Sequence, residues 1–157
     1  EYGNEFTVAT VGTIKVTPHS VNVIPGTCTF SLEIRDQSAE VMKLIENHLR
    51  QLLEDISKKY GVTSTFVPTS YHDPAPMSEL VRGTIEEAVK ELGIDYTVIP
   101  SGAFHDSLIM TSVFPTGMIF VPSKDGISHS RYEYTAPEDI ENGCNVLLNT
   151  VLKLDEK

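Results

Sequence analysis

Tryptophan is absent from the 157 residues, cysteine occurs only twice, and there are 12 basic side chains against 22 acidic ones. A nucleic-acid binder neutralises phosphates with clustered Lys and Arg, and the few basic residues here are scattered, so nucleic acid is not an expected partner. No apolar run approaches the roughly 18 residues of a membrane span, and Glu1-Tyr2-Gly3-Asn4 does not read as a signal peptide, so no membrane association is expected. Cys28 and Cys144 lie far apart on apolar faces, the pattern of two buried thiols rather than of a disulfide framework, which points to a cytoplasmic setting. Internal repeats and low-complexity tracts are also missing. An initiating Met is lacking too, and because the chain runs almost at once into a strand pattern, it is expected to be a piece of something longer.

What is present is an ordinary globular composition with well-marked periodicities. Phe6, Val8, Thr10, Val11, Ile14 and Val16 give a β-type run ending at Pro18. Cys28, Phe30, Leu32 and Ile34 alternate with Thr29, Ser31, Glu33 and Arg35, the period of a half-buried strand with Arg35 facing away from its apolar side. Pro25-Gly26 between them predicts a turn and an antiparallel pair. After Ser38, a plausible N-cap, apolar positions from Val41 to Tyr60 recur at helical spacing up to Gly61, with His48 on the stripe and partly buried. Residues 62–67 read as a strand. Such a β-β-α-β order fits a two-layer sandwich, and a complete βαββαβ unit would need one more β-α unit before residue 1.

Tyr71-His72-Asp73-Pro74-Ala75-Pro76 is the best linker, because two prolines in three positions favour extended backbone. Beyond it the pattern predicts a helix from Ser78 to Leu92 stopped by Gly93, a strand at 96–99, an apolar stretch at 108–114, a strand at 118–121 and a final helix. Thr135 and Glu138 read as a capping box around Pro137. Alternating strands and helices suggest a parallel, buried sheet, so the fold class is α/β (α+β).

Of five histidines, His105 and His129 each follow a predicted strand, at the edge where ligands bind in open α/β sheets. Neutral imidazole is the commonest protein metal ligand. Spacing alone leaves two readings open, surface-loop histidines or metal and catalytic groups, since no HExxH or CxxC pattern accompanies them. Serines 101, 107, 123, 128 and 130 crowd the same loops, but no GxSxG elbow exists to make a serine hydrolase.

Four motifs occur in order: Asn22-Val23-Ile24-Pro25-Gly26, a strand ending Ile34-Arg35-Asp36, Ser101-Gly102-Ala103-x-His105-Asp106, and Gly126-x-Ser128-His129-x-x-x-Glu133. Together they resemble the N-carbamoyl-L-amino acid hydrolase and allantoate amidohydrolase branch of the M20 metallopeptidase-like family. The resemblance implies a hydrolase with two divalent ions, zinc or manganese, acting on an N-carbamoyl amino acid or related ureido acid. It implies a βαββαβ lid that also makes a homodimer, inserted into a zinc-hydrolase-type α/β catalytic domain. Residues 1–72 would be the second half of the lid and 73–157 the C-terminal part of the catalytic domain.

By motif, His129 matches a metal ligand and His105 the histidine at the scissile carbonyl. Asn22 and Arg35 match the residues that grip the substrate carboxylate. Phe104 stands at a substrate-binding position where the family usually carries a small Gly. The remaining metal ligands and the general-base Glu are expected in a preceding segment, which would leave this chain inactive alone. Two alternatives are a dimerisation or binding module derived from a degenerate hydrolase, and an M20 peptidase acting on short peptides.

Overall fold

The computed structural model describes residues 3–156. In chain order it contains β1 (Val8–Thr17), β2 (Thr27–Arg35), α1 (Ala39–Tyr60), α2 (Glu79–Leu92), α3 (Asp106–Met110), a 3₁₀ turn at Lys124–Gly126, and α4 (Pro137–Asp155). The chain divides into two compact units, one ending at Pro74 and the other beginning at Ala75.

In the first unit β1 and β2 form an antiparallel hairpin whose register runs from Thr17 opposite Thr27 to Val8 opposite Arg35. The register shifts between Thr10 and Thr13, and there the Ser31 hydroxyl accepts from the Thr13 N–H at 3.1 Å, taking the place of a ladder carbonyl. Such a bulge locally bends and twists the strand. The predicted helix is α1, capped by Ser38 Oγ, which accepts from Val41 N, and ended by Gly61 in the left-handed region at φ 65. That conformation suits a residue without Cβ. The sequence 62–67, expected as a strand, is assigned none. Its composition is β-like, but a strand needs a neighbour to take its backbone hydrogen bonds, and β1 and β2 pair only with each other among the described residues. It leans on α1 instead, with the Phe66 ring 4.0 Å from the Arg50 guanidinium.

The second unit is organised by α2 and α4, which pack on each other. Thr84, Ala88 and Val89 of α2 and Val146 and Thr150 of α4 are its buried residues. Three of these five are small enough to let the helices approach closely. Both threonine hydroxyls are satisfied within their own helix, Thr84 donating to Leu80 O and Thr150 to Val146 O. Lys153 Nζ meets Glu91 at 2.6 Å across the helix pair.

The segments 96–99 and 118–121, also expected as strands, run without ladder partners among the described residues, so the parallel sheet is not present there. Residues 96–99 are exposed, while 118–121 runs close to the helices. A Cβ on Gly117 would lie 2.7 Å from Val81 Cγ1, and one on Gly143 would lie 2.6 Å from Val121 Cγ1, so both glycines are required by close approach. The capping box is also corrected. Helix α4 begins at Pro137 with Ala136 at the N-cap and no side-chain cap bond, because Thr135 lies one position too early.

Three burial expectations fail. Cys28 and Cys144 are both exposed thiols, and His48 lies on an exposed position of α1. The reason is general, since α1 has no fully buried residue and Leu147, Leu148, Val151 and Leu152 of α4 are each more than half exposed. The accessible surface is 12294 Å² for 17.3 kDa. A single globule of that mass exposes about 7800 Å², and even two separate globules of half the mass about 9400 Å² together. Apolar stripes that the periodicity marks as buried therefore face outward.

Candidate functional site

Two of the motif residues lie in the first unit. Arg35 closes β2 with an exposed side chain, and its guanidinium pairs with Glu33 at 2.9 Å, two residues back on the same strand face. Asn22 is in the connection between β1 and β2, exposed, with its Oδ1 accepting from Ser20 Oγ at 2.8 Å. That connection is closed at its base by Gly26 N donating to Thr17 O. Asn22 thus belongs to one end of the hairpin and Arg35 to the other. Eight residue steps of strand separate Thr27 from Arg35, about 26 Å at roughly 3.3 Å per residue. The fold of one chain does not bring the pair together.

His105 and His129 lie in the second unit, each held by its own loop. His105 stands at the N-cap position of α3 in extended backbone and is half-buried. Its Nε2 is 2.8 Å from Ser101 Oγ, which also accepts from Ala103 N at 3.3 Å, and its ring packs at 5.5 Å from the Phe120 ring. Phe104, beside it, is 55% exposed, so its ring fills no core and stands at the surface next to the imidazole's backbone.

His129 takes φ 55, the left-handed region that non-glycine residues rarely enter. The loop around it explains how this is held. Lys124 N donates to Tyr134 O at 2.8 Å, closing the loop, and Ser123 Oγ donates to Ile127 O. Glu133 Oε2 then accepts the His129 N–H at 2.8 Å, and Ser128 Oγ lies 3.2 Å from His129 Nδ1. The imidazole is exposed.

Among the described residues no three His, Cys, Asp or Glu side chains come together as a metal site. A divalent ion in a catalytic site needs about three protein ligands and a water. The residues of this chain therefore do not fit a complete metal centre. Sequence reasoning placed Ser101 and Glu133 in the histidine motifs without assigning their contacts, and it did not single out Glu33 beside Arg35 or Ser20 beside Asn22. Spacings of two and four residues were the available signal for all four.

Comparison with known proteins gives the family. Residues 4–153 match Peptidase family M20/M25/M40. The chain is 40% identical over 148 residues to an N-carbamoyl-L-amino acid amidohydrolase of Geobacillus stearothermophilus, covering 94% of this chain and 36% of that protein. It is 36% identical over 155 residues to a ureidoglycolate hydrolase of Oryza sativa subsp. japonica, covering 98% of this chain and 32% of that protein. The crystal structure of an amidase of the hydantoinase/carbamoylase family from Burkholderia multivorans superposes with a TM-score of 0.86 at 36% identity, covering 96% of this chain and 37% of the other. The chain spans about a third of the length of the relatives it matches. By this match along nearly its whole length, the chain belongs to Peptidase family M20/M25/M40, within the branch of N-carbamoyl-L-amino acid and allantoate amidohydrolases.

Proposed function

We propose that the complete protein carrying this chain is a metal-dependent amidohydrolase that cleaves a C–N bond of an N-carbamoyl-L-amino acid or a related ureido acid such as allantoate. The observation that carries this reading is that Asn22, Arg35, His105 and His129 occur in order along a chain that matches amidohydrolase relatives almost end to end. Residues 1–72 act as the second half of a lid and dimerisation domain, and 73–157 as the C-terminal part of the catalytic domain.

The substrate class offers a carboxylate and a ureido carbonyl, and the chain's residues answer both. Arg35 presents a planar guanidinium that binds a carboxylate through two parallel hydrogen bonds, and Asn22 adds a directional amide. Because these two residues sit at opposite ends of one hairpin, a single carboxylate meets both only when one comes from a second copy, which supports a homodimer. His105 donates a hydrogen bond to the ureido oxygen as negative charge gathers there. His129 contributes one imidazole to a site for two divalent ions, zinc or manganese, whose other donors lie outside this chain. When bound, such ions supply a water acidified for attack. Phe104 shapes the pocket beside His105. The setting proposed is the cytoplasm; among the described residues no helix is long and apolar enough to cross a membrane.

Kinetics of Arg35→Ala in the complete protein test the reading. Charge-assisted hydrogen bonds are worth about 1.5–3 kcal/mol, so KM for an N-carbamoyl-L-amino acid should rise about 10-fold to 150-fold with kcat changed less. An unchanged KM would remove Arg35 from the substrate site.

A further inference from the structure

We propose that Thr7 and Asp36 are positioning residues for Arg35, their side chains forming a rung that closes the open end of the hairpin and holds the guanidinium where a substrate carboxylate meets it. The inference rests on the role given to Arg35 above. The last backbone pair of the hairpin is Val8 opposite Arg35. Thr7 immediately precedes Val8 and Asp36 immediately follows Arg35, so the bond that Thr7 Oγ1 donates to Asp36 Oδ2 lies one step beyond that pair.

The two ends of the hairpin differ. At the far end the chain itself joins the strands, and Gly26 N donates to Thr17 O at 2.9 Å. At the Arg35 end the strands part, β1 arriving from residues 4–7 and β2 leaving for α1. A ladder end without a covalent connection opens most readily. Here donors from both parting segments converge on one carboxylate: Thr7 Oγ1, Asn4 Nδ2 at 3.4 Å and Ser38 N at 2.7 Å.

The direction of these bonds is fixed, because an ionised carboxylate only accepts. The Thr7 bond is the largest cause holding the Asp36 carboxyl below the usual carboxylate range, so it is ionised at neutral pH. The donor side is held too. Asn4 N donates to Thr7 Oγ1 at 2.7 Å, Phe6 N to Asn4 Oδ1 at 2.8 Å, and Thr7 N to Asn4 O at 3.1 Å, a closed turn that presents the hydroxyl. Thr7 and Asp36 are both half-buried, whereas Arg35 between them is exposed.

The consequence falls on binding. The Arg35 side chain starts from the last paired residue, so opening that pair carries the guanidinium away from the carboxylate it grips. Apparent affinity then falls with the fraction of time the arm is out of place. Ground state and transition state hold the carboxylate alike, so the loss appears in KM rather than kcat.

The test is steady-state kinetics of the complete protein on an N-carbamoyl-L-amino acid, with hydrogen exchange of the same variants. Thr7→Val keeps the side-chain shape and removes the hydroxyl; it should raise KM about threefold or more with kcat little changed, and Thr7→Ser should restore the native value. In an Arg35→Ala background Thr7→Val should lower kcat/KM no further, because its effect passes through Arg35. Exchange should quicken at residues 8–10 and 33–35 and stay native at Thr17 and Thr27. If Thr7→Val does not fold, Asp36→Asn, which keeps an oxygen for the Ser38 N–H and loses the charge, carries the same expectations. A native KM in Thr7→Val beside a raised one in Arg35→Ala would overturn the proposal alone. So would unchanged exchange at the open end, or an equal loss of kcat/KM with and without Arg35. An unchanged KM in Arg35→Ala would overturn the reading of Arg35 and the proposal with it.

Discussion

Each motif side chain is held by a near neighbour in the chain, and that contact sets its chemistry. Arg35 is half-exposed and pairs its charge with Glu33. An exposed ion pair of this kind is worth about 0–1 kcal/mol. Glu33→Gln should therefore lower KM for a carboxylate-bearing substrate by up to about fivefold, because the guanidinium no longer has to leave a resident carboxylate. Steady-state kinetics of the native protein and the Glu33→Gln variant check this, and a raised KM would show that Glu33 orients Arg35 instead of competing for it. His129 is held by a backbone bond to a side chain, so Glu133→Ala should speed hydrogen exchange of the His129 amide, while Glu133→Gln, which keeps an acceptor oxygen, should restore much of the protection. The motifs marked His105 and His129 as candidates, with Ser101 and Glu133 four residues away. The contacts within each pair were not legible, because a spacing of four residues has meaning only once the backbone between them is known to turn.

At the scale of elements, the hairpin, α1, α2 and α4 were legible because alternation, helical spacing, Ser38, Gly61 and Gly93 all point the same way. The segments 62–67, 96–99 and 118–121 were not, because local sequence reports β-type composition while strand formation depends on a partner elsewhere. One of them, 118–121, packs against α4 at Gly143. Adding a methyl at Gly143 would press on Val121 Cγ1, an overpacking cost of about 1–3 kcal/mol against a helix-propensity gain of about 1 kcal/mol. Gly143→Ala should lower Tm, and Val121→Ala added to it should recover part of the loss.

A second element-level prediction concerns the junction of β2 and α1. Thr7 Oγ1 donates to Asp36, and Ser38 N and Asn4 Nδ2 donate to it as well, so its carboxyl is held below the usual carboxylate range, with the Thr7 bond the largest cause. A folded value below the unfolded one, about 3.9, stabilises the protein above that pH and loses the effect as pH falls through the folded value. Asp36→Asn should therefore be less stable than native at neutral pH, with the gap closing only in acid below about pH 4. A gap that stays constant through that range would show that the carboxylate charge contributes nothing.

The whole molecule exposes far more surface than its mass requires, and the excess includes the apolar stripes of α4. Contiguous apolar surface of this kind is normally covered by protein. The complete protein is accordingly expected to bury Leu147, Leu148, Val151 and Leu152, and the 157-residue chain by itself to self-associate in sedimentation experiments.

The central claim is that this chain serves an amidohydrolase for ureido acids. Its most direct test is release of the free amino acid from an N-carbamoyl-L-amino acid by the complete protein supplied with zinc or manganese, with a dipeptide of the same residue as the competing substrate. The account predicts turnover of the carbamoyl compound, none of the dipeptide, and loss of activity in His129→Ala. Turnover of the dipeptide alone, or full activity in His129→Ala, would contradict it.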